Sequence, residues 1–276
     1  TLSGIYYGGN FMIGAIIGDI VGSRFEFDNY RKKDFELFTD DCFPTDDSIM
    51  TVAVGKAILE CEGNYTHLSE RAIDCMQELG RPYPDCGFGG SFYDWIYSEN
   101  PKPYNSFGNG AAMRVSGAGF AARTLDEAKE LAYKVTAVSH NHPEGIKGAE
   151  AVAVAIYLAR HGKTKDEIRA YIEGNYYKID FTIDEIRPNY EFNETCQNTV
   201  PQAFAAFFEA DGFEDTIRNA ISVGGDSDTL AAIAGSIAEA FYGVPLHLRE
   251  RAESYLNTNR YAMIYEWLKK FEERFA

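Results

Sequence analysis

Apolar residues recur at helical spacing along almost the whole chain, and this periodicity constrains the fold more than any other feature. After Ser48, for example, Ile49, Val52 and Ala53 share one helical face. Helices are predicted over residues 48–61, 68–79, 126–138, 143–160, 199–209, 214–222, 228–241, 245–255 and 261–275. Alternating strand-like runs are few, and residues 176–192 are compatible with either a strand or an irregular loop. The pattern predicts a single all-α domain whose loops carry the function.

The length of 276 residues and the hydrophobic content of 45% fit one large domain with a sizeable core. We place this domain at residues 12–276 and interpret residues 1–11 as an extension or an expression-vector remnant. The apolar run 12–21 is too short to span a membrane, and Asp19 interrupts it. The run also lacks the basic start and the cleavage site of a signal peptide, so a cytoplasmic protein is predicted.

Charge and cysteine usage exclude several classes of protein. The net charge of -16 argues against general binding to nucleic acids or anionic membranes. A phosphate-ester ligand would therefore need bound cations or backbone N–H groups to offset the repulsion locally. The five cysteines are scattered and form no Cys-x-x-Cys pair, which argues against a zinc ribbon or a disulfide framework.

An acidic cluster, Thr45-Asp46-Asp47, stands directly before a predicted apolar helix. One interpretation is a helix cap, because Thr or Asp in this place accepts backbone N–H bonds. Two adjacent carboxylates exceed what a cap needs, however, and they repel each other unless a cation lies between them. The cluster is therefore also a candidate metal site.

A second acidic cluster, Gly224–Thr229, follows about 180 residues later and again precedes an apolar helix. The glycine pair permits an unusual backbone path. Asp226 and Asp228 are two residues apart, so they would point the same way in an extended segment, and Thr229 adds a hydroxyl. The two clusters together would form an oxygen-rich site suited to Mg²⁺ or Mn²⁺, which indicates two-metal hydrolysis.

Two further acidic residues lie near the start of the chain. Asp19 falls within an apolar stretch that has glycines at 14, 18 and 22, and it requires a buried partner. The glycine spacing is typical of a tight helix crossing. Glu26 stands between two phenylalanines, where it is either a plain exposed residue or a carboxylate with a shifted pKa that reaches a metal.

Two loops are candidates for binding the rest of a ligand. In the first, residues 105–110, Gly108 and Gly110 leave backbone N–H groups to face a ligand, Ser106 offers a hydroxyl and Phe107 offers a stacking surface. An ordinary turn is the alternative. In the second loop, His140 precedes a predicted helix N-terminus, which favours contact with phosphate or ribose rather than with a metal.

Taken in order, these residues resemble the ADP-ribosylglycohydrolase family, which includes dinitrogenase-reductase-activating glycohydrolase and the ADP-ribosyl-acceptor hydrolases. The resemblance spans residues 12 to about 243. It rests on five motifs: Gly14-x-x-x-Gly18-Asp19, Thr45-Asp46-Asp47, Gly108-Asn109-Gly110, Ser139-His140 and Gly225-Asp226-Ser227-Asp228-Thr229. Ser227 stands where the family usually has Thr, a mild departure because that side chain need not be a ligand.

The resemblance implies an all-α orthogonal bundle with a binuclear Mg²⁺ or Mn²⁺ centre. It implies metal ligation by Thr45, Asp46, Asp47, Asp226, Asp228 and Thr229, and ADP-ribose binding by Ser106, Phe107, Gly108, Asn109, Gly110 and His140. Glu26 resembles the family's mobile acidic residue. One of Glu26, Asp46 and Asp47 would position or deprotonate the attacking water.

The implied reaction is hydrolysis of the bond between ribose C1″ and an acceptor, with release of ADP-ribose from a protein or a small conjugate. The acceptor would be an arginine, a serine, an acetyl group or a small alcohol, and arginine is favoured by family analogy only. Two alternatives stay open. One is a two-metal phosphoesterase or pyrophosphatase acting on ADP-ribose or a nucleotide, and the other is a non-catalytic ADP-ribose-binding protein.

Overall fold

A computed structural model describes residues 11–275, and this part of the chain is helical with no strand. Its only ladder-like pairing is an isolated antiparallel bridge between Gly108 and Thr195. The fifteen α-helices of residues 11–275 are α1 Ile13–Gly22, α2 Asp46–Glu60, α3 Leu68–Gly80, α4 Gly90–Tyr97, α5 Gly110–Met113, α6 Ser116–Ala121, α7 Leu125–Thr136, α8 Pro143–Arg160, α9 Lys165–Asn175, α10 Ile183–Ile186, α11 Cys196–Glu209, α12 Phe213–Ser222, α13 Ser227–Tyr242, α14 Leu246–Leu256 and α15 Ala262–Phe275. The prediction of a single all-α domain is confirmed.

All nine predicted helices are present, with ends shifted by a few residues. Helix α8 has the predicted bounds, whereas α11 begins at Cys196, three residues before the predicted start. Helix α2 begins at Asp46 because the Thr45 side chain accepts the Asp47 N–H and caps it. The stretch 176–192 contains the short helix α10 and is otherwise irregular, so it is a loop rather than a strand.

Helices α1 and α13 cross so closely that no side chain fits between them. A Cβ atom added to Gly18 would overlap the carbonyl of Ala231, and one added to Gly14 would lie 2.5 Å from the Gly235 oxygen. Glycine is required here because any side chain would force the helix backbones apart. The predicted tight helix crossing is therefore confirmed.

This crossing brings the acidic segments to one end of the bundle. Gly22, at the end of α1, packs against the backbone of Asp228 at the start of α13. The chain then continues through the short 3-10 helix Ser23–Phe25 to Glu26. Helix α2 also packs against α1, and its N-terminus carries Asp46. Residues distant in sequence thus meet because three helix ends converge.

The predicted extension at residues 1–11 lies almost wholly outside the described residues. Of it only Phe11 is described, and its ring lies 5.0 Å from that of Phe120. The interpretation of residues 1–10 stays a prediction. None of the helices within residues 11–275 has the length and apolar character that crossing a membrane requires.

Candidate active site

A cavity of about 470 Å³ lies where the N-termini of α2, α5 and α13 meet the loops between the helices. Of the predicted site residues, all but Thr45 line this cavity. They are Glu26, Asp46, Asp47, Ser106, Phe107, Gly108, Asn109, Gly110, His140, Asp226, Asp228 and Thr229. Thr45 lies behind Asp47 in the wall. The two acidic clusters therefore share one cavity with both candidate ligand loops.

Asp19 fixes the first acidic cluster from behind. Its carboxylate accepts the Thr45 N–H at 3.0 Å, the Thr45 hydroxyl at 2.6 Å and the Ser48 N–H at 3.0 Å, and it also accepts the Ser48 hydroxyl. Burial raises the pKa of Asp19 to about 6, while these four hydrogen bonds oppose the rise. Asp19 thus has the buried partners that its position requires, and it orients the start of α2.

The structure confirms the cap interpretation of the first cluster, and its interpretation as a metal site stays a prediction. Thr45 is a helix cap, because its hydroxyl accepts the Asp47 N–H at 3.2 Å. The carboxylates of Asp46 and Asp47 are not used in capping and line the cavity instead. Asp47 Oδ1 is buried and has no hydrogen-bond partner among the described residues.

The second cluster is held by a tight turn followed by a helix start. Gly224 and Gly225 have φ angles of 79° and 69°, in the left-handed region that favours glycine. Asp226 occupies the N-cap position of α13 and Asp228 lies in its first turn. The helix predicted over residues 228–241 therefore begins one residue earlier, at Ser227, so the two aspartates flank a helix start instead of alternating along an extended segment. They share the cavity because the turn delivers both to the same helix end.

Hydrogen bonds tie the second cluster to its surroundings. Asn109 Nδ2 donates to Asp226 Oδ2 at 2.6 Å, and Thr229 N–H donates to Asp228 Oδ1 at 3.0 Å. The Thr229 hydroxyl donates to Asp47 Oδ2 at 3.4 Å and so connects the two acidic clusters directly.

The side chains at this end of the cavity fit a divalent cation. Carboxylate oxygens of Glu26, Asp226 and Asp228 lie within 4.8 Å of one another. Burial, and then the charge of Asp226, raise the pKa of Glu26 to about 7. Burial also raises the pKa of Asp46, Asp47 and Asp228 well above the usual range. Crowded carboxylate oxygens suit a hard cation, and the unpaired Asp47 Oδ1 is a further candidate ligand atom.

The loop 105–110 is fixed against the segment that precedes α11. Asn109 N–H donates to the Glu194 carbonyl at 2.8 Å, and Cys196 N–H donates to the Phe107 carbonyl at 2.9 Å. Gly108 N–H donates to the Ser106 hydroxyl at 3.1 Å, so this amide is engaged rather than free as expected. The Phe107 ring is 41% exposed at the rim of the cavity, where it is available for stacking.

His140 forms part of the wall next to this loop. It is buried, and burial lowers its pKa well below the usual value, so the imidazole is neutral. Its Nδ1 lies 2.8 Å from the Ser139 hydroxyl. A Cβ atom added to Gly110 would lie 3.4 Å from His140 Nε2, which places this nitrogen beside the loop 105–110.

Several residues that line the cavity were not predicted from the sequence: Gly87, Gly89, Gly90, Ser91, Phe92, Tyr104, Met113, Arg114, Phe192, Glu194 and Thr195. A signal existed for Gly87, which stands in a glycine-rich run and has a φ of 117°. A Cβ atom there would lie 2.8 Å from Asp46 Oδ1, so only glycine fits beside that carboxylate. Glu194 has no such signal in the sequence, since its place in the wall depends on the hydrogen bond that its carbonyl accepts from the Asn109 N–H.

Residues 10–276 match the family model described as ADP-ribosylglycohydrolase. The chain belongs to the ADP-ribosylglycohydrolase family. The resemblance inferred from the five motifs is thereby confirmed. One relative is ADP-ribosylhydrolase ARH3 of Homo sapiens. This chain is 23% identical to it over 331 residues, which cover 90% of this chain and 89% of that protein.

Other relatives agree with this assignment. ADP-ribosylarginine hydrolase Tri1 of Pseudomonas putida is 28% identical over 149 residues, which cover 50% of this chain and 39% of that protein. A solved structure titled "ADP-ribosylglycohydrolase-related protein complex" superposes with a TM-score of 0.64 at 21% identity, covering 91% of this chain and 95% of that one. This structural likeness confirms the fold. Family membership makes the chain an ADP-ribosylhydrolase in general terms and leaves the acceptor open.

Proposed function

We propose that this protein uses two divalent cations, Mg²⁺ or Mn²⁺, to hydrolyse the glycosidic bond between ribose C1″ of ADP-ribose and an acceptor. The observation that carries the proposal is the convergence of Asp46 and Asp47 with Asp226 and Asp228 on one cavity. The same cavity contains Phe107 at its rim, which suits an ADP-ribose whose ribose end faces the acids.

The cations would be held from two sides. Thr45, Asp46 and Asp47 provide oxygen ligands from α2, and Asp226, Asp228 and Thr229 provide them from α13. Cations bound there would supply positive charge that orients the ribose hydroxyls and polarises the attacking water. The Thr45 hydroxyl donates to Asp19 Oδ1, with 2.6 Å between the two oxygens, and accepts the Asp47 N–H, so one lone pair of the Thr45 oxygen would remain for a cation.

We assign the proton transfer to Glu26. Its carboxylate is half-buried at the cavity wall beside those of Asp226 and Asp228, where it would accept a proton from the attacking water. Asp46 and Asp47 also line the wall, and we assign both of them to cation binding. The transition state should resemble an oxocarbenium ion, as in other glycoside hydrolyses.

The rest of ADP-ribose would lie along the loop 105–110. In this arrangement Phe107 stacks on the adenine, and Ser106, Gly108, Asn109, Gly110 and His140 contact the diphosphate and ribose. The acidic clusters would then lie at the distal ribose, where the bond to the acceptor breaks.

We favour an arginine side chain as the acceptor. The exposed side chain of Glu194 and the carboxylate of Glu26 both line the cavity, and the charge of Glu194 contributes to the raised pKa of Glu26. Negative charge at this place favours a guanidinium over a neutral hydroxyl. The relative named ADP-ribosylarginine hydrolase supports the same choice.

Product analysis tests the proposal. The protein is incubated with arginine-, serine- and acetyl-linked ADP-ribose, with and without Mg²⁺ or Mn²⁺, and the products are identified by mass spectrometry. We expect intact ADP-ribose, formed only with a divalent cation and fastest from the arginine conjugate. AMP as the product would instead support a phosphoesterase or pyrophosphatase, and binding without turnover of any conjugate would support a non-catalytic ADP-ribose-binding protein.

A matched pair of variants links activity to the cavity. Asp228→Ala removes a candidate cation ligand and should reduce turnover by orders of magnitude. Asp74→Ala removes an exposed carboxylate and should leave turnover unchanged. Near-normal activity of a folded Asp228→Ala protein would refute the metal-binding role.

A further inference from the structure

The cavity wall is strongly acidic, yet the proposed ligand is an anion. Six carboxylates line it, from Glu26, Asp46, Asp47, Glu194, Asp226 and Asp228. Among the described residues of the wall, Arg114 is the only one with a permanent positive charge. The position and bonding of this one cation therefore decide where an anionic group is tolerated.

Arg114 is fully buried and only partly satisfied. Its relative exposure is 0%, and its guanidinium lies over the Phe92 ring at 5.0 Å. The Nη2 group donates to the Ser139 hydroxyl at 2.8 Å, whereas Nε and Nη1 have no hydrogen-bond partner within residues 11–275. Burial lowers the pKa of Arg114 to about 10, so the group stays charged at neutral pH. A buried charge with two unpaired N–H groups on a cavity wall is costly unless a ligand completes its bonding.

The same guanidinium determines the protonation of His140. The Ser139 hydroxyl accepts from Arg114 Nη2, so its own proton is directed to His140 Nδ1 at 2.8 Å. Arg114 Nη2 also approaches that nitrogen at 3.4 Å and can act only as a donor. This arrangement of donors favours Nδ1 as an acceptor and Nε2 as the protonated nitrogen. Nε2 lies beside Gly108 and Gly110 of the loop 105–110.

We propose that Arg114 binds an anionic group of the ligand through its Nε–H and Nη1–H and, through Ser139, holds His140 as an Nε2–H donor to that ligand. Arg114 is then a binding residue toward the ligand and a positioning residue toward His140. If the proposed function is correct, the anionic group is the diphosphate of ADP-ribose, and this identification rests on that function. The tautomer of His140 does not depend on it.

The binding role is tested by comparing two ligands that differ in the diphosphate. Affinities for ADP-ribose and for adenosine are measured by calorimetry and NMR titration with wild type, Arg114→Gln, Arg114→Lys and, as a control, the exposed Arg251→Gln. We expect Arg114→Gln to weaken the binding of ADP-ribose by about tenfold or more and the binding of adenosine by less than about twofold. Arg114→Lys keeps the charge but loses the forked donors, so its loss should be intermediate.

A parallel measurement tests the positioning role of Arg114 toward His140 without any ligand. In wild-type protein with ¹⁵N-labelled histidine, we expect His140 Nε2 to resonate as a protonated nitrogen and Nδ1 as an unprotonated one. The Arg114→Gln protein should show a mixture of the two tautomers. The Nδ1–H tautomer in wild type would overturn the positioning role, even if no Arg114 variant folds.

The outcomes separate this inference from the proposed function. If wild type binds ADP-ribose and Arg114→Gln binds it equally well, Arg114 has no binding role. An equal loss of ADP-ribose and adenosine affinity in Arg114→Gln would also overturn that role, because it would indicate a general structural defect. If wild type neither binds nor releases ADP-ribose, the proposed function fails, and the His140 tautomer alone decides the remaining claim.

Discussion

Raising the pH in the absence of divalent cations should destabilise this protein through its buried carboxylates. A carboxyl group whose pKa is higher in the folded than in the unfolded state binds protons more tightly when folded. The free-energy cost of ionising this group in the folded protein is therefore absent below the unfolded pKa near 4 and fully present above the folded pKa. Asp19 and Glu26, with pKa values of about 6 and 7, place the loss of stability between about pH 4 and pH 7. Asp228 and its buried neighbours act in the same direction.

Asp19 sets the scale of this effect. Raising its pKa from the ordinary 3.8 to about 6 costs about 3 kcal/mol above pH 6, at about 1.4 kcal/mol per pH unit. For a chain of this size that corresponds to a fall in Tm of about 6–12 °C, since 1 kcal/mol shifts Tm by about 2–4 °C. Bound cations would remove much of this cost, because they supply charge that favours the ionised carboxylates.

Thermal unfolding between pH 5 and pH 8, in EDTA and in Mn²⁺, measures this linkage. The increase in Tm on adding Mn²⁺ should be small at pH 5 and larger at pH 8. In EDTA, Asp228→Asn should gain stability relative to wild type as the pH rises, because it removes one buried charge. The exposed control Asp74→Asn should follow wild type throughout. A Tm increase that is equal at both pH values, or an Asp228→Asn protein with the wild-type pH profile, would refute the reasoning.

Three further predictions address the ligand and the helix crossing. Phe107→Ala should weaken ADP-ribose binding by about 1 kcal/mol or more, and unchanged affinity by calorimetry would eliminate the stacking role. Glu194→Gln should slow cleavage of arginine-linked ADP-ribose more than that of the serine-linked conjugate, and equal slowing in a competition assay would contradict a guanidinium acceptor at this position. Gly18→Ala should lower the free energy of unfolding by several kcal/mol, on the order of an overpacked core, because its Cβ would overlap Ala231. Gly174→Ala has open space around it in α9 and should raise the free energy of unfolding by about 0.5–1 kcal/mol. Denaturant titrations of the two glycine variants should therefore shift in opposite directions, and similar shifts would argue against the tight crossing.

Much of the candidate site was predictable because its acids stand at helix starts. Thr45, Asp46 and Asp47 combine a capping residue with more carboxylate than a cap requires, and this excess is visible in the sequence. Asp226 and Asp228 both line the cavity, and the helix predicted from residue 228 begins at Ser227. Their spacing of two residues alone would not have distinguished an extended segment from the first turn of a helix.

The remaining site residues depend on contacts between distant segments. Glu194 reaches the cavity only because its backbone pairs with Asn109, and Arg114 acquires its role from Ser139 and His140. No local pattern specifies such pairings. Helix α9 was not predicted, although its capping box of Thr164 and Glu167 is a local signal visible in the sequence.

The most direct test of the central claim is to locate bound cations. Crystals grown with Mn²⁺ should show two peaks of anomalous scattering in the cavity, between the carboxylates of Asp46 and Asp47 on one side and those of Asp226 and Asp228 on the other. Peaks elsewhere on the protein, with none beside these four aspartates, would contradict the account.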